Sequence, residues 1–335
     1  MFFNLVLIKM SKFDLTKIEN KFTSDDALGR VAIAVAAHPF DYVKILIQLG
    51  YEPLPAYPIK TIFGRQRLAL PGVFQYLGYI RRSDGFFGLY KGLTYKLTST
   101  LLNGFVHVNT TELLKQLYAE EEKEKEDKKD KEEERPEEGI TEKKLRKLIK
   151  SLLIETGSRF IALTISYPFH MMTIRMFAQF VGREHNYDSL TGGISDIVKN
   201  GGVLALYGGF IPKFLGDCVI LWLGSSIIFV INCYVNPDPT VKGYIAASVN
   251  FIVSSFAYPF QLVSTVMSCN GPSAASLTAS HLEPTYIDWV DCWKQLSELG
   301  QIKRGSSLIW RYQVNPSYRK PFVYKPYKER EFKHW

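Results

Sequence analysis

The sequence predicts an all-α integral membrane protein that crosses the bilayer five times. A helix needs about 20 mostly apolar residues to span a membrane, and five separate segments of 22 to 33 residues reach that length. Prolines, glycines and charged runs separate these segments from one another. Their lengths argue against the alternative of a large soluble protein with five buried helices. The segments are residues 27–48, 93–118, 148–180, 210–235 and 241–268.

The mean hydropathy of −0.05 resembles that of a soluble protein because two polar stretches lower it. Residues 120–138 contain twelve acidic and six basic side chains, whereas residues 301–335 contain nine basic and two acidic ones. Nearly all of the formal charge of +8 comes from that basic tail, whose tyrosines are also typical of a lipid headgroup layer. The charge therefore does not indicate a nucleic-acid partner, and we expect the tail to lie on membrane lipids.

The membrane segments are not uniformly apolar. The fourth is the most hydrophobic, but the first contains Arg30, Asp41 and Lys44, and the third contains Glu155 and Arg159. Ionisable groups inside a bilayer are costly and usually face a protein interior or a water-filled cavity.

Two stretches between the segments are predicted to lie outside the bilayer. Residues 51–60 are rich in proline and predict an extended loop. The charged insertion, residues 119–147, cannot bury apolar area, so it is predicted to be disordered or to form a solvated helix. The N-terminal segment, residues 1–26, has the features of neither a secretory signal nor a transit peptide.

Several kinds of chemistry are excluded by the motifs that the sequence lacks. The four cysteines are 15, 36 and 23 residues apart, which matches neither a zinc site nor a disulfide framework. The sequence contains no G-x-x-x-x-G-K-[ST] loop, no H-E-x-x-H and no G-x-S-x-G. We therefore expect no metal, no cofactor and no conventional enzyme active site.

Two motifs recur at a period of about 100 residues once an insertion of about 30 residues is subtracted. The first is a proline step near the end of the first, third and fifth segments, at Pro39, Pro168 and Pro259, where we expect the helices to kink. The second reads SDGFFGLYKG at residues 83–92 and NGGVLALYGG at residues 200–209. A weak third copy, ELGQIKRG, occupies residues 298–305, and a short amphipathic stretch precedes each copy.

These motifs carry a resemblance to the mitochondrial carrier superfamily, whose repeats read Pro-x-acid-x-x-base and then acid-Gly-x-x-x-aromatic-Lys-Gly. Pro39, Asp41 and Lys44 match the first motif, and residues 84–92 match the second. Five helices and a degenerate third repeat are similar to one branch, the mitochondrial carrier homologs. The stretches that carry this closer resemblance are VKILIQLGYEPLP, FGRQ, QFVGRE, FLGDCVILWL and WVDCW.

The resemblance implies a degenerate three-repeat carrier fold with short amphipathic helices between helix pairs. Its parts are an N-terminal segment at 1–26, repeat one at 27–118, the insertion at 119–147, repeat two at 148–235, an incomplete repeat three at 236–305 and a basic aromatic tail at 306–335.

In that family the acid and the base of each proline step form salt bridges that close one side of a six-helix barrel. The acid position here holds Asp41, His170 and Gln261 in the three repeats. The base position holds Lys44, and then Thr173 and Ser264. At most one of the three bridges can form, so the resemblance implies that the exchange mechanism is lost.

The sixth helix is also predicted to be missing. The residues after Gly305 include prolines at 316, 321 and 326 and no run of 17 apolar residues. A six-helix ring without its last member is open to lipid between the fifth and first helices. We therefore expect a polar groove that opens sideways into the bilayer.

The resemblance implies residence in the outer mitochondrial membrane, as a multi-pass protein, and an insertase activity. The clients are α-helical membrane proteins, notably tail-anchored ones. The alternatives are a docking receptor for a pro-apoptotic Bcl-2-type protein, lipid scrambling and residual solute transport. A polar groove lowers the cost of moving a polar tail through hydrocarbon without any nucleotide.

Asp217 is the main candidate for the groove, since a lone acid in a membrane helix is functional by default. The alternative is an ion pair with Lys213 near the headgroups. Arg175, His170 and Gln261 are expected to point inward from the gate region.

Asp41 and Lys44 are also assigned to the groove, although a structural relic is their other interpretation. Asn103, His107 and Asn250 are expected to form hydrogen bonds between helices.

Overall fold

The computed structural model describes residues 23–60, 64, 66–129, 140–183, 185, 187–235, 238–270 and 286–312. It confirms the all-α prediction, and each predicted membrane segment coincides with one long helix. In chain order the helices are α1 (Ser24–Gln48), α2 (Val73–Gly88), α3 (Leu93–Lys129), α4 (Ile140–Gly182), α5 (Leu190–Gly201), α6 (Phe210–Tyr234), α7 (Pro239–Ser268) and α8 (Trp289–Glu298). A 3-10 helix at Val203–Tyr207 follows α5.

Among the described residues, three helical stretches are long and apolar enough to cross a membrane, namely Ser24–Gln48, Val203–Tyr234 and Thr240–Ser268. α3 and α4 are longer, at 37 and 43 residues, but they carry more charged side chains. The molecule is an all-α membrane protein in which the charges are concentrated in two of the long helices.

The charged insertion is helical at both of its ends. α3 continues to Lys129, and α4 begins at Ile140. Residues 119–129 and 140–147 are therefore helical, and the prediction of disorder for residues 130–139 lies outside the described residues. Glutamate and lysine are good helix formers, and extending an existing helix avoids the cost of nucleation.

The three repeat prolines lie inside α1, α4 and α7. Each helix continues for at least two turns beyond its proline, so the proline steps do not end the helices. The kinks themselves stay a prediction.

The second motif shares one backbone feature in all three repeats. Each copy has a glycine at its third residue and another at its last, both with φ between 64° and 81°, a region in which side chains are strained. The two glycines are seven residues apart in the first two copies and five apart in the third, so the third copy is shorter. The pairs are Gly85 with Gly92, Gly202 with Gly209, and Gly300 with Gly305.

The predicted extended loop after α1 ends in a small hairpin. β1 (Tyr57–Lys60) pairs antiparallel with β2 (Gln66–Ala69), and Tyr57 lies opposite Ala69. In the described part of the chain, these eight residues form the two strands, and the other regular elements are helices.

The chain after α8 does not return as a helix within the described residues, which end at Tyr312. It runs instead along β2 and the start of α2. The amide of Leu70 donates to the Arg311 carbonyl, and the amide of Val73 donates to the Leu308 carbonyl, both at 2.9 Å. The prediction about residues 313–335 lies outside the described residues.

The chain forms two compact units, residues 1–35 with 96–170 and residues 36–95 with 171–335. In the first, leucines of α3 pack on Ile154 of α4. The core of the second contains aromatic rings, with Tyr42 stacked on Phe177 at 4.4 Å and Phe180 edge-on to Tyr42 at 6.0 Å. A further cluster joins α7 to α8 in the same unit.

Candidate functional site

A line of polar side chains follows one face of α3 within the first unit. Lys96, Ser99, Asn103 and His107 are three or four residues apart, so they share a helix face. The line spans about 16 Å, roughly half of the hydrocarbon thickness of a bilayer. We call these four residues the polar ladder.

The ladder bonds to the two helices that flank α3. The Lys96 ammonium donates to the Ala34 carbonyl of α1 at 3.2 Å. The Ser99 hydroxyl donates to the Ser166 carbonyl of α4 at 3.3 Å, and the Asn103 amide donates to the Ser166 hydroxyl at 3.0 Å. The hydrogen bond between helices that was predicted for Asn103 is therefore confirmed.

One end of the ladder is charged. Oε1 of Glu155 lies 3.1 Å from His107 Nε2 and 3.0 Å from Arg159 Nε. The side chains of His107 and Glu155 are each 26% exposed, and that of Arg159 is 41% exposed. All three side chains are therefore partly accessible at the surface of the helix packing. The contact between His107 on α3 and Glu155 on α4 confirms that His107 bonds across helices.

A second arginine, Arg30 of α1, lies beside the polar ladder. A Cβ on Gly104 would come within about 3.0 Å of the Arg30 guanidinium, so the missing side chain makes room for it. The sequence shows that Arg30, Glu155 and Arg159 interrupt apolar segments, but it did not single them out as a site. The signal that could have pointed to them is the series of polar residues along α3, which follow one another at intervals of one helical turn.

The residues at the carrier base positions make packing and hydrogen-bond contacts within the second unit. Lys44 lies over the Tyr258 ring, with Nζ 5.7 Å from its centroid. The Ser264 hydroxyl donates to the Gly209 carbonyl at 2.8 Å, and Thr173 is buried. Asp41 is half-buried on α1. Whether it contributes to a groove stays a prediction.

The other predicted gate residues lie in different surroundings. The His170 ring is half-buried, with its centroid 5.8 Å from that of Tyr167. Gln261 is half-buried on α7, where its carbonyl accepts from the Thr265 hydroxyl at 3.0 Å. Their contact with a substrate stays a prediction.

Arg175 is 2% exposed and joins α4 to the end of α7. Its Nε donates to the Ser268 carbonyl at 3.0 Å, and Nη1 donates to the Tyr187 hydroxyl at 3.3 Å. In this conformation the arginine is a buried link between helices.

Asp217 forms the ion pair that was its alternative interpretation. Its Oδ1 accepts from Lys213 Nζ at 3.4 Å, one turn earlier on α6, and both side chains are about one-quarter exposed. The role of Asp217 in a groove stays a prediction. Asn250 lies on the same helix pair, where a Cβ on Gly224 would come 2.9 Å from its Oδ1.

A second charged cluster joins the first two repeats. Asp84 accepts from Lys91 Nζ at 2.7 Å and from Arg183, and its side chain is only 8% exposed. Burial by itself raises the pKa of Asp84, but hydrogen bonds from Lys91 and Ser83 outweigh it and hold the pKa below its usual value. The cluster lines part of a cavity of about 270 Å³, and Tyr42 lines another part of it.

A third polar network closes α1 against the third repeat. The Gln48 amide donates to the Tyr258 hydroxyl at 3.1 Å, which in turn donates to the Arg304 carbonyl at 2.6 Å. Arg304 Nε donates back to the Gln48 carbonyl at 2.9 Å. Sequence reasoning missed this network, since Gln48 lies 210 residues before Tyr258 and 256 residues before Arg304.

In the described part of the chain, no group of three or more histidine, cysteine, aspartate or glutamate side chains is arranged to hold a metal ion.

The described part of the chain has five long helices, three short helices next to glycine-bounded turns, and a polar line between long helices, which together define a carrier-like α-helical membrane protein. Comparison with known sequences agrees, since the family model described as mitochondrial carrier protein matches residues 27–122 and 145–226. The chain belongs to this family. The matched ranges cover most of the first two repeats.

The similar relatives are mitochondrial carrier homologs. The mouse protein named Mitochondrial carrier homolog 2 is 37% identical over 291 residues, covering 83% of this chain and 90% of the relative. The human protein of that name is 36% identical over 288 residues, with the same coverage. Mouse Mitochondrial carrier homolog 1 is 31% identical over 307 residues, covering 85% of this chain and 75% of the relative. The chain is a mitochondrial membrane protein of carrier type.

Proposed function

We propose that this protein is an insertase that places α-helical membrane proteins, notably tail-anchored ones, into the outer mitochondrial membrane. The observation that carries the proposal is the polar ladder with its half-exposed charged end at His107, Glu155 and Arg159. It would offer hydrogen-bonding partners to a polar segment that must pass through hydrocarbon.

The energetic problem for a tail-anchored client is its polar C-terminal tail. Each unsatisfied backbone group costs several kcal/mol in hydrocarbon, and a charge costs more. A polar line of about 16 Å shortens the dry part of the path by roughly half. The client's apolar helix then enters lipid, driven by its own burial. No nucleotide takes part.

The state of the carrier gate supports insertion over solute exchange. Alternating access requires two states whose balance the substrate shifts. The three base positions hold Lys44, Thr173 and Ser264, and in this conformation the lysine lies on an aromatic ring while the serine bonds to the backbone. These contacts favour a protein that no longer cycles between two sealed states.

The exposed face of α7 supports a lateral opening. Tyr244, Ser248, Phe251 and Ser255 are three or four residues apart and all exposed, whereas Val253 on the other side is 1% exposed. A sixth helix in a complete carrier ring would neighbour α7. A face that combines serine hydroxyls with aromatic rings suits a segment that is partly polar and partly apolar.

The test is insertion by the purified protein in liposomes. A tail-anchored client is added, and the fragment that becomes protected from protease is measured against empty liposomes. We expect protection above the empty control and a reduction of about three- to tenfold for Glu155→Gln and Arg159→Gln, equivalent to about 1 kcal/mol. Lys294→Gln, an exposed lysine on α8, is the matched control and should insert normally.

The outcomes separate the alternatives. Protection no better than in empty liposomes would contradict the insertase and favour a docking receptor for a pro-apoptotic Bcl-2-type protein, which loop variants should then impair. Lipid flipping by the purified protein without client would indicate scrambling. Protease accessibility in intact mitochondria tests the assignment to the outer membrane.

A further inference from the structure

The N-terminal part of α4 is longer than a membrane crossing requires. The helix has 43 residues, about 64 Å, whereas about 20 residues span a bilayer. The excess lies before the third predicted membrane segment, which begins at residue 148. Residues 143–150, which extend from this excess into the start of the membrane segment, read KKLRKLIK. We call residues 143–150 the basic stretch.

The basic stretch is exposed. Lys143, Lys144, Arg146 and Lys147 all have exposed side chains. The fifth cation, Lys150, is half-buried and lies over the Tyr118 ring of α3, 5.8 Å from its centroid. An aromatic side chain beside a lysine at this level is typical of a membrane–water interface.

An apolar stripe lies on the same part of α4. Leu145, Ile149 and Leu153 are four residues apart, so they lie on one face of the helix, and they are 44%, 43% and 50% exposed. The stripe leads from the basic stretch into the membrane segment. Cations next to exposed leucines and isoleucines match the two layers of a lipid leaflet, headgroups and acyl chains.

We propose that the basic stretch binds anionic phospholipid headgroups, with Leu145 and Ile149 against the acyl chains below them. Four to eight basic residues directly next to a membrane helix are the arrangement that attracts anionic lipids. The lipid surface is favoured over an acidic protein partner because the stretch is continuous with a membrane helix. The leaflet is therefore adjacent whenever the protein is inserted. The proposal does not depend on the insertase function.

The experiment uses the full-length protein in vesicles, with a photo-crosslinking amino acid in place of Ile149. Cross-linking to lipid is compared between phosphatidylcholine vesicles and vesicles that contain phosphatidylserine. We expect a higher yield with the anionic lipid, falling at high salt because the charges are exposed. Each exposed cation contributes about fivefold, or about 1 kcal/mol, to the attraction.

Two variants decide whether charge is the cause. Replacing Lys143, Lys144 and Lys147 by glutamine should lower the anionic-lipid yield at least fivefold, whereas arginine at the same positions should preserve it. A matched control replaces three exposed lysines elsewhere, Lys60, Lys199 and Lys294, and should leave the yield unchanged.

Three results would overturn the proposal. Equal yields with both lipids would show that the stretch does not select charge. Loss of yield in the arginine variant would indicate a disturbed helix. Cross-linking to an added acidic polypeptide in preference to anionic lipid would make the surface a protein-docking site. Indifference to lipid charge would also result if the twelve acidic residues of 120–138 already neutralise the lysines.

Discussion

Arg183, directly after α4, is hydrogen-bonded to the carboxylate of Asp84 in α2, although 99 residues separate them in the sequence. The same carboxylate accepts from Lys91, so one buried acid holds two cations. The contact joins the second repeat to the first at a single carboxylate.

Asp84→Asn should lower the stability of the protein in detergent. Hydrogen bonds to a charged group contribute about 1.5 to 3 kcal/mol, and both cations are partly exposed, so we expect a loss near the lower value. Thermal unfolding at neutral pH measures it. Asp196→Asn is the control and should change little, because the Asp196 carboxylate accepts from the neutral amide of Asn200 on the same helix.

The pH dependence of that loss has a definite sign. The pKa of Asp84 is lowered in the folded state, so its contribution is fully present above the unfolded pKa, near 3.8. It disappears as the pH falls through the lower folded pKa. The stability gap between wild type and Asp84→Asn should therefore close in acid. A gap that persists well below that pH would contradict the assignment.

Arg304→Ala should release the chain after α8. The guanidinium donates to the Gln48 carbonyl and to Gln301, and its loss leaves the carbonyl at the end of α1 without these donors. We expect a destabilisation of about 2 kcal/mol and faster proteolysis between residues 299 and 312. The neighbouring Lys303→Ala is the control, because that side chain is exposed. Equal cleavage of both variants would argue against the network.

Arg175→Met distinguishes a structural arginine from one that contacts the client. Its buried bonds to Ser268 and Tyr187 predict a loss of about 3 kcal/mol, because their partners are left unsatisfied. Insertion per folded molecule should stay close to that of the wild type. A normal unfolding temperature together with lost insertion would instead place Arg175 in the groove.

Asp217→Asn should leave stability almost unchanged, in contrast to Arg175→Met. An ion pair one turn apart on the same helix contributes only about 0.3 to 0.5 kcal/mol, so expression and unfolding temperature should barely change. If Asp217 belongs to the groove, the protected client fragment decreases. Lys213→Gln removes the same pair while keeping the acid. Equal insertion by wild type and Asp217→Asn would remove Asp217 from the groove.

Asn103→Leu tests the polar ladder away from its charged end. Hydrogen bonds between membrane helices average about 0.6 kcal/mol, so the lost bond to Ser166 should have a small effect on stability. The leucine makes the middle of the ladder apolar, and we expect insertion to fall by severalfold. Measuring client protection at matched folded protein separates the two effects.

The helices, the repeats and the family could be predicted because their signals are local or periodic. An apolar run of 25 residues or a glycine pair seven apart is visible without knowledge of any partner. The insertion shows where a local signal was ambiguous. The same charged composition allows disorder and a solvated helix, and only the structure shows that α3 continues as a helix to Lys129.

The sequence by itself determined the membrane class, the three-repeat plan and the residue types at the carrier gate positions, since hydropathy, spacing and residue type contain that information. Only the tertiary structure decided what the polar residues do. Asp217 pairs with Lys213, Arg175 is buried between helices, and Glu155 meets His107 from another helix. Glu155 and His107 are 48 residues apart in the sequence, and Arg175 and Ser268 are 93 apart. Only the packing of the helices brings these partners within hydrogen-bonding distance.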